Sequence, residues 1–262
     1  MILSAIPFPL INPVIFDIWG PFKVSWYGLS YVFGVLLALF YINKVNKNQR
    51  VFPEKAMDDL LVYGLLGIVI GGRLGHVLFY DFSKALFNPL FIFKTWEGGM
   101  SFHGGLIGAA VGVYLLCRKY KIKYLAACDM VVCIAPVGLF LGRIANFING
   151  ELYGRPTDVD WAVLFPAGGF IPRHPSQIYE ALLEGVLLFI IMILLSHYTK
   201  LRTKPGALCG VFLIGYGLFR SFVEYFREPD QQFNFLLGSI TAGQLLSIPM
   251  IILGIGLVWR KR

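Results

Sequence analysis

The chain has 262 residues and a formal charge of +8, with 57% hydrophobic and only 15% charged residues. Soluble domains hold about 45–50% apolar and about 25% charged residues, so a soluble fold of this length lacks the polar surface it needs. Composition therefore points to a membrane protein, and nucleic acid is not an expected partner because the basic residues fall in short clusters between apolar runs.

Residues 1–22 carry Pro7, Pro9, Pro13 and Pro21 without a basic leading segment. That pattern predicts an irregular or interfacial stretch rather than a cleaved signal peptide. Seven apolar runs follow, at 25–41, 59–80, 100–117, 124–141, 178–197, 207–223 and 239–259. Each is near the roughly 20 residues that cross the hydrocarbon core as a helix. Lys44, Lys47, Arg50 and Lys55 follow the first run, and Arg118, Lys119, Lys121 and Lys123 follow the third. Lys200, Arg202 and Lys204 follow the fifth, and Arg260, Lys261 and Arg262 follow the seventh. The alternate loops are poorer in basic residues and hold Asp81, Glu97, Asp158, Asp160 and Asp230. Cytoplasmic loops carry the Lys/Arg excess. The expected fold is all-α, a polytopic protein of about seven transmembrane helices, with the N-terminus outside and the C-terminus cytoplasmic. Residues 1–262 form a single membrane-embedded domain on this reading.

The longest connection, residues 143–177, lies outside and mixes glycines and prolines with Trp161, Phe165 and Phe170. Its aromatic content predicts a folded outer loop at the headgroup level. Cys117, Cys128, Cys133 and Cys209 form no CxxC and read as small hydrophobes rather than metal ligands or disulfide partners.

Several segments place polar residues where lipid is expected. Trp26-Tyr27-Gly28 opens the first run and reads either as an aromatic belt or as part of a site. Gly98 to Gly105, followed by Gly108 and Gly112, contains His103. Glycines four apart let helices approach closely, whereas His103 is either a plain interfacial residue or an accessible base. In 142–154, a helix persisting past Gly142 places Arg143, Asn146 and Gly150 on one face. Snorkelling accounts for Arg143 alone but not for Asn146, Asn149 and Glu151 beside it. Arg173 to Glu180 enters the fifth run, with Ser176 as an N-cap and Glu180 in need of a partner. Finally, Tyr216, Arg220, Glu224 and Arg227 recur at helical spacing as one polar stripe. Arg220 and Glu224 can pair, which leaves Arg227 as surplus positive charge and suggests an anionic ligand. Arg73, His76 and Asp129 suggest nothing beyond helix packing.

These motifs, in this order along nearly the whole chain, resemble the prolipoprotein diacylglyceryl transferase family. The resemblance rests on Trp26-Tyr27-Gly28, the glycine-rich run around His103, 142–154, His174 to Glu180, and Arg220 to Asp230. It implies transfer of a diacylglyceryl group from phosphatidylglycerol to the lipobox cysteine thiol of a preprolipoprotein, at the outer face of the bacterial inner membrane. His103 is then the base, and Arg143 and Arg220 stabilise the departing phosphate. Tyr27, Asn146, Glu151, Gly154, Tyr216, Glu224 and Arg227 join Arg143 in binding substrate. No metal or cofactor is expected. The rival is a transporter or flippase for an anionic lipid, which the one-sided clustering of polar residues and the lack of a visible repeat disfavour.

Overall fold

The computed structural model describes residues 5–19, 22–79, 81–94, 99–228 and 240–260, apart from the side chains of Phe22, Phe102 and His103. Pro21, Tyr80, Glu97, Gly98, Pro229, Asp230, Ser239, Lys261 and Arg262, all used above, lie outside the described residues. The fold is mainly helical and divides into two compact units. One comprises Met1–Tyr41 with Val131–Arg262, the other Ile42–Met130, so the divisions fall within helices α1 (Trp26–Gln49) and α5 (Tyr124–Val132).

The smaller unit is built on α2 (Glu54–Phe79) and α4 (Phe102–Tyr120). Gly104, Gly108 and Gly112 do face a neighbouring helix, as their spacing predicts. A Cβ on Gly108 would overlap the Gly67 carbonyl, and one on Gly112 would overlap that of Tyr63. Backbone therefore meets backbone, which only glycine permits. Ser101 caps α4, its hydroxyl accepting from the Gly104 amide at 3.2 Å. Arg73 has a larger part than packing. It is buried and donates to the carbonyls of Phe91 (2.6 Å), Ile92 (3.0 Å) and Gly99 (3.2 Å). It thereby anchors a segment the sequence reading missed, α3 (Phe82–Phe87) and a 3₁₀ turn (Pro89–Phe93).

In the larger unit, strand β2 (Val14–Trp19) pairs antiparallel with β3 (Phe22–Ser25) ahead of α1. The run expected at 124–141 is two helices, α5 and α6 (Ala135–Ile148), bent by 42°. Pro136 opens α6, where its missing N–H costs nothing, and it cannot continue the ladder of α5. Next comes α7 (Ser176–Tyr198), which contains a π-helical turn over Ala181–Leu187. The described residues also form α8 (Ala207–Val223), with the predicted bounds, and α9 (Ala242–Trp259). Cys133, Leu188, Met192, Leu208, Phe212 and Tyr216 form the core between these helices. Cys117, Cys133 and Cys209 are buried, as expected of small hydrophobes.

Among the described residues, four helices are long and apolar enough to cross a membrane: α1, α2, α7 and α9. The bent α5–α6 pair can supply a fifth crossing, and α8 is apolar but shorter. Their outward faces carry large exposed apolar side chains, such as Phe33, Leu36, Phe40, Leu66, Ile70, Ile252 and Leu253. In a chain of this composition, such faces suit lipid. The protein is thus a mostly helical, multi-pass membrane protein.

The segment between α6 and α7 is folded, as its aromatics predict. Strand β4 (Val163–Leu164) lies between β1 (Ile6–Pro7), which pairs parallel, and β5 (Pro172–Arg173), which pairs antiparallel. Phe165 is fully buried under it, with Phe8, Phe147 and Tyr153 at ring-centroid distances of 5.4, 5.9 and 5.3 Å.

Candidate functional site

A buried charge cluster forms where α6, α7 and α8 meet. Glu180 is its centre. Its carboxylate contacts the Arg143 Nε, lies 3.4 Å from Arg220 Nη1 and accepts from Arg227 Nη1 at 3.1 Å. Glu224 closes a second ion pair with Arg220, and Glu184 lies 3.6 Å from Arg143 Nη2. The glycine at Gly185 lets α6 come close, since a Cβ there would lie 2.6 Å from that of Phe140. Tyr216, buried on α8, lies within electrostatic reach of Glu180, Glu184, Arg143 and Arg220. Across from it, Gly243 on α9 leaves room for the Glu224 carboxylate, which a Cβ would overlap.

The cluster corrects three expectations. Arg227 is not surplus: its partner is Glu180, 47 residues earlier. Helix α8 ends at Val223 with Glu224 as its C-cap, so Arg227 reaches the cluster through a turn rather than along a helical stripe. Ser176 is not the N-cap of α7; that position belongs to Pro175, and the Ser176 hydroxyl donates to the Leu152 carbonyl at 3.1 Å. Likewise α6 stops at Ile148, so Gly150 shares no helical face with Arg143 and Asn146 and instead takes a positive φ of 66°.

Just outside the cluster, Glu151 Oε1 accepts from Asn146 Nδ2 (2.8 Å) and Asn149 Nδ2 (3.1 Å), and its carbonyl accepts from Gln177 (2.6 Å). Tyr27 stands within electrostatic reach of both Glu151 and Arg143, and its hydroxyl lies 3.3 Å from that of Tyr31. Gly154 acts through its backbone. Its amide donates to the His174 carbonyl at 2.8 Å, its carbonyl accepts from Arg173, and it bridges to Arg227. A Cβ there would lie 2.5 Å from the Phe226 carbonyl and 2.7 Å from that of His174. Arg155 donates to the carbonyls of Arg227 and Glu224. Arg173 pairs with Glu228 and lies over the Tyr153 ring.

Exposure sorts the charges. The Glu180, Glu184 and Glu224 side chains are at most 4% exposed, whereas those of Arg143 and Arg220 are 15% and 14% exposed. The accessible polar face is therefore guanidinium, backed by buried carboxylates. A guanidinium presents a fixed, planar set of donors that matches a phosphate or carboxylate. Of the predicted site residues, Tyr27, Arg143, Asn146, Glu151, Gly154, Tyr216, Arg220, Glu224 and Arg227 belong to the larger unit and to this network. His103 belongs to the smaller unit, at the start of α4, and its side chain lies outside the described residues. Glu184 and Arg155 were not singled out in the sequence, and Gln177 figured there only as part of the His174 to Glu180 motif. A charged residue one turn beyond Glu180, inside an apolar run, was the available signal for Glu184.

Residues 13–260 match the family model for prolipoprotein diacylglyceryl transferase. The chain belongs to the prolipoprotein diacylglyceryl transferase family. It is 52% identical over 252 residues to the phosphatidylglycerol–prolipoprotein diacylglyceryl transferase of Rickettsia canadensis (strain McKiel), covering 96% of this chain and 97% of that protein. Identity to the protein of the same name from Rhodospirillum rubrum is 52% over 256 residues, covering 97% of this chain and 93% of the relative. For Rickettsia felis it is 53% over 248 residues, covering 94% and 95%. Membership of the diacylglyceryl transferase family spans both units, so it covers the charge cluster and the His103 segment alike.

Proposed function

We propose that this chain transfers the diacylglyceryl group of phosphatidylglycerol to the lipobox cysteine thiol of preprolipoproteins, the first step of bacterial lipoprotein maturation. The observation that carries this reading is the guanidinium face of Arg143 and Arg220, set on buried carboxylates, in a chain about 52% identical to phosphatidylglycerol–prolipoprotein diacylglyceryl transferases.

The chemistry makes two demands. A sulfur–carbon bond forms as a carbon–oxygen bond to phosphate breaks, releasing glycerol phosphate. The thiol must lose its proton, since a free cysteine has a pKa near 8.5, and the leaving phosphate must be stabilised as charge develops on it. His103 is the base on this reading, and Arg143 and Arg220 hold the phosphate. Glu180 and Glu224 fix those arginines through the ion pairs described above. Tyr27, Asn146, Glu151, Tyr216 and Arg227 shape the headgroup site, and Gly154 holds the backbone crossing beside it. The full chain acts as one transferase domain of seven crossings in the inner membrane. Its N-terminus and site face outward, and the basic connections face the cytoplasm, which the charge distribution supports.

Labelled phosphatidylglycerol, a lipobox peptide and the purified full-length protein test the proposal together. Wild type is expected to label the cysteine. Arg143→Ala and His103→Gln are expected to insert normally and to lose transfer by at least about a hundredfold, the scale of lost charge stabilisation or acid–base catalysis. An active Arg143→Ala protein removes that residue from the phosphate role, and an active His103→Gln protein removes the base.

A further inference from the structure

Arg143, Arg220 and Arg227 face Glu180, Glu184 and Glu224, so the ionised cluster is already balanced. A phosphate monoanion placed on the guanidinium face makes this buried set one charge negative. Uncompensated charge at low dielectric is costly, and proton uptake is the usual remedy.

Glu184 is the carboxylate placed to take that proton. Its side chain is fully buried, and neither oxygen accepts a hydrogen bond among the described residues. Its ion pair to Arg143 is long, at 3.6 Å. Glu180, by contrast, meets three arginines, and Glu224 is in contact with Arg220. The carboxylate with the fewest donors loses least when it becomes neutral. The groups facing Glu184 are Arg143 from α6, Arg220 and Tyr216 from α8, Arg227 beyond α8, and Glu180 one turn earlier on its own helix. Arg155 aims its donors at the carbonyls of Arg227 and Glu224 instead. The π turn over Ala181–Leu187 is centred on Glu184. Such turns interrupt the regular ladder and recur at functional positions.

We propose that Glu184 is a proton-holding positioning residue of the arginine cluster. It takes a proton from solvent as the anionic phosphate binds, which frees the Arg143 guanidinium to turn from carboxylate to phosphate. It returns that proton when the phosphate product leaves. The inference rests on reading the cluster as the phosphatidylglycerol site.

Calorimetric titration of the full-length protein with short-chain phosphatidylglycerol, near neutral pH and in two buffers of different ionisation enthalpy, counts the protons. Wild type and Glu184→Asp are expected to take up about one proton per lipid bound, so affinity weakens about tenfold per pH unit as pH rises through the linked range. Glu184→Gln is expected to bind with no proton uptake and with an affinity independent of pH. Lipid binding by wild type without proton uptake overturns the inference and leaves the phosphate site standing. Uptake that persists in Glu184→Gln also overturns it. If Glu184→Gln does not fold, the wild-type and Glu184→Asp counts decide. A wild type that binds no phosphatidylglycerol overturns the inference and the reading beneath it together.

Discussion

Glu180 has three guanidinium neighbours and 1% exposure of its side chain, so its charge is what permits three arginines to sit inside an apolar bundle. Removing one partner of a buried pair leaves the other uncompensated, at a cost of about 3–5 kcal/mol. Glu180→Gln is therefore expected to lower the melting temperature of the detergent-solubilised protein sharply. A near-wild-type melting curve for Glu180→Gln would mean the arginines are held by something else. A second effect concerns His174, in the segment between α6 and α7. Tyr179 OH accepts from Trp161 Nε1 at 2.7 Å and lies 3.1 Å from His174 Nδ1, so it is placed to donate to a neutral ring. Burial pushes the His174 pKa below its ordinary value near 6.5. The unfolded chain then binds a proton that the folded chain resists, so stability falls as pH drops through about 6.5 and levels off below the folded-state value. Melting curves between pH 5 and about 8 read this loss, and His174→Asn should remove the His174 part of the slope. At this scale the sequence revealed that Glu180 needs a partner, because a carboxylate entering an apolar run is anomalous. It hid the identity of that partner, because Arg227 lies 47 residues away and only the fold brings the two together.

Among elements, the glycine contacts of α2 and α4 are the tightest constraint. A Cβ on Gly71 or Gly104 would overlap the carbonyl of the other, and one on Gly75 would lie 2.7 Å from the Gly104 Cα. The contact fixes the start of α4, and with it the backbone of His103, against α2 within the same unit. Gly108→Val must separate the helices or distort them, and overpacking typically costs about 1–3 kcal/mol. Thermal unfolding should show that loss, together with reduced transfer; an unaltered protein would contradict the packing. Half of this contact was legible, because Gly104, Gly108 and Gly112 keep the spacing of close-packed helices. The break between α5 and α6 was not anticipated, since hydropathy runs smoothly through Cys133 and Ile134 and only Pro136 marks it. The helix ends were also misjudged at Gly150 and Arg227. Periodicity continues in the sequence after the backbone has turned, and a positive φ at Gly150 leaves no trace in a spacing count.

For the molecule as a whole, composition and basic clusters made the membrane class legible, and the ordered motifs made the family legible. The short strands β1, β4 and β5 were not, because strands of two residues carry no alternation to detect. The pairing of β4 and β5 tethers the segment in which Gly154, Arg173 and His174 meet. On the proposed reading, Arg143 and Arg220 receive the phosphate of phosphatidylglycerol. An experimental structure of the full-length protein in nanodiscs containing phosphatidylglycerol tests it most directly. The lipid phosphate is expected within hydrogen-bond distance of both guanidinium groups, with Glu180 still holding the cluster from behind. A headgroup bound elsewhere, with Arg143 and Arg220 untouched by phosphate, would contradict it.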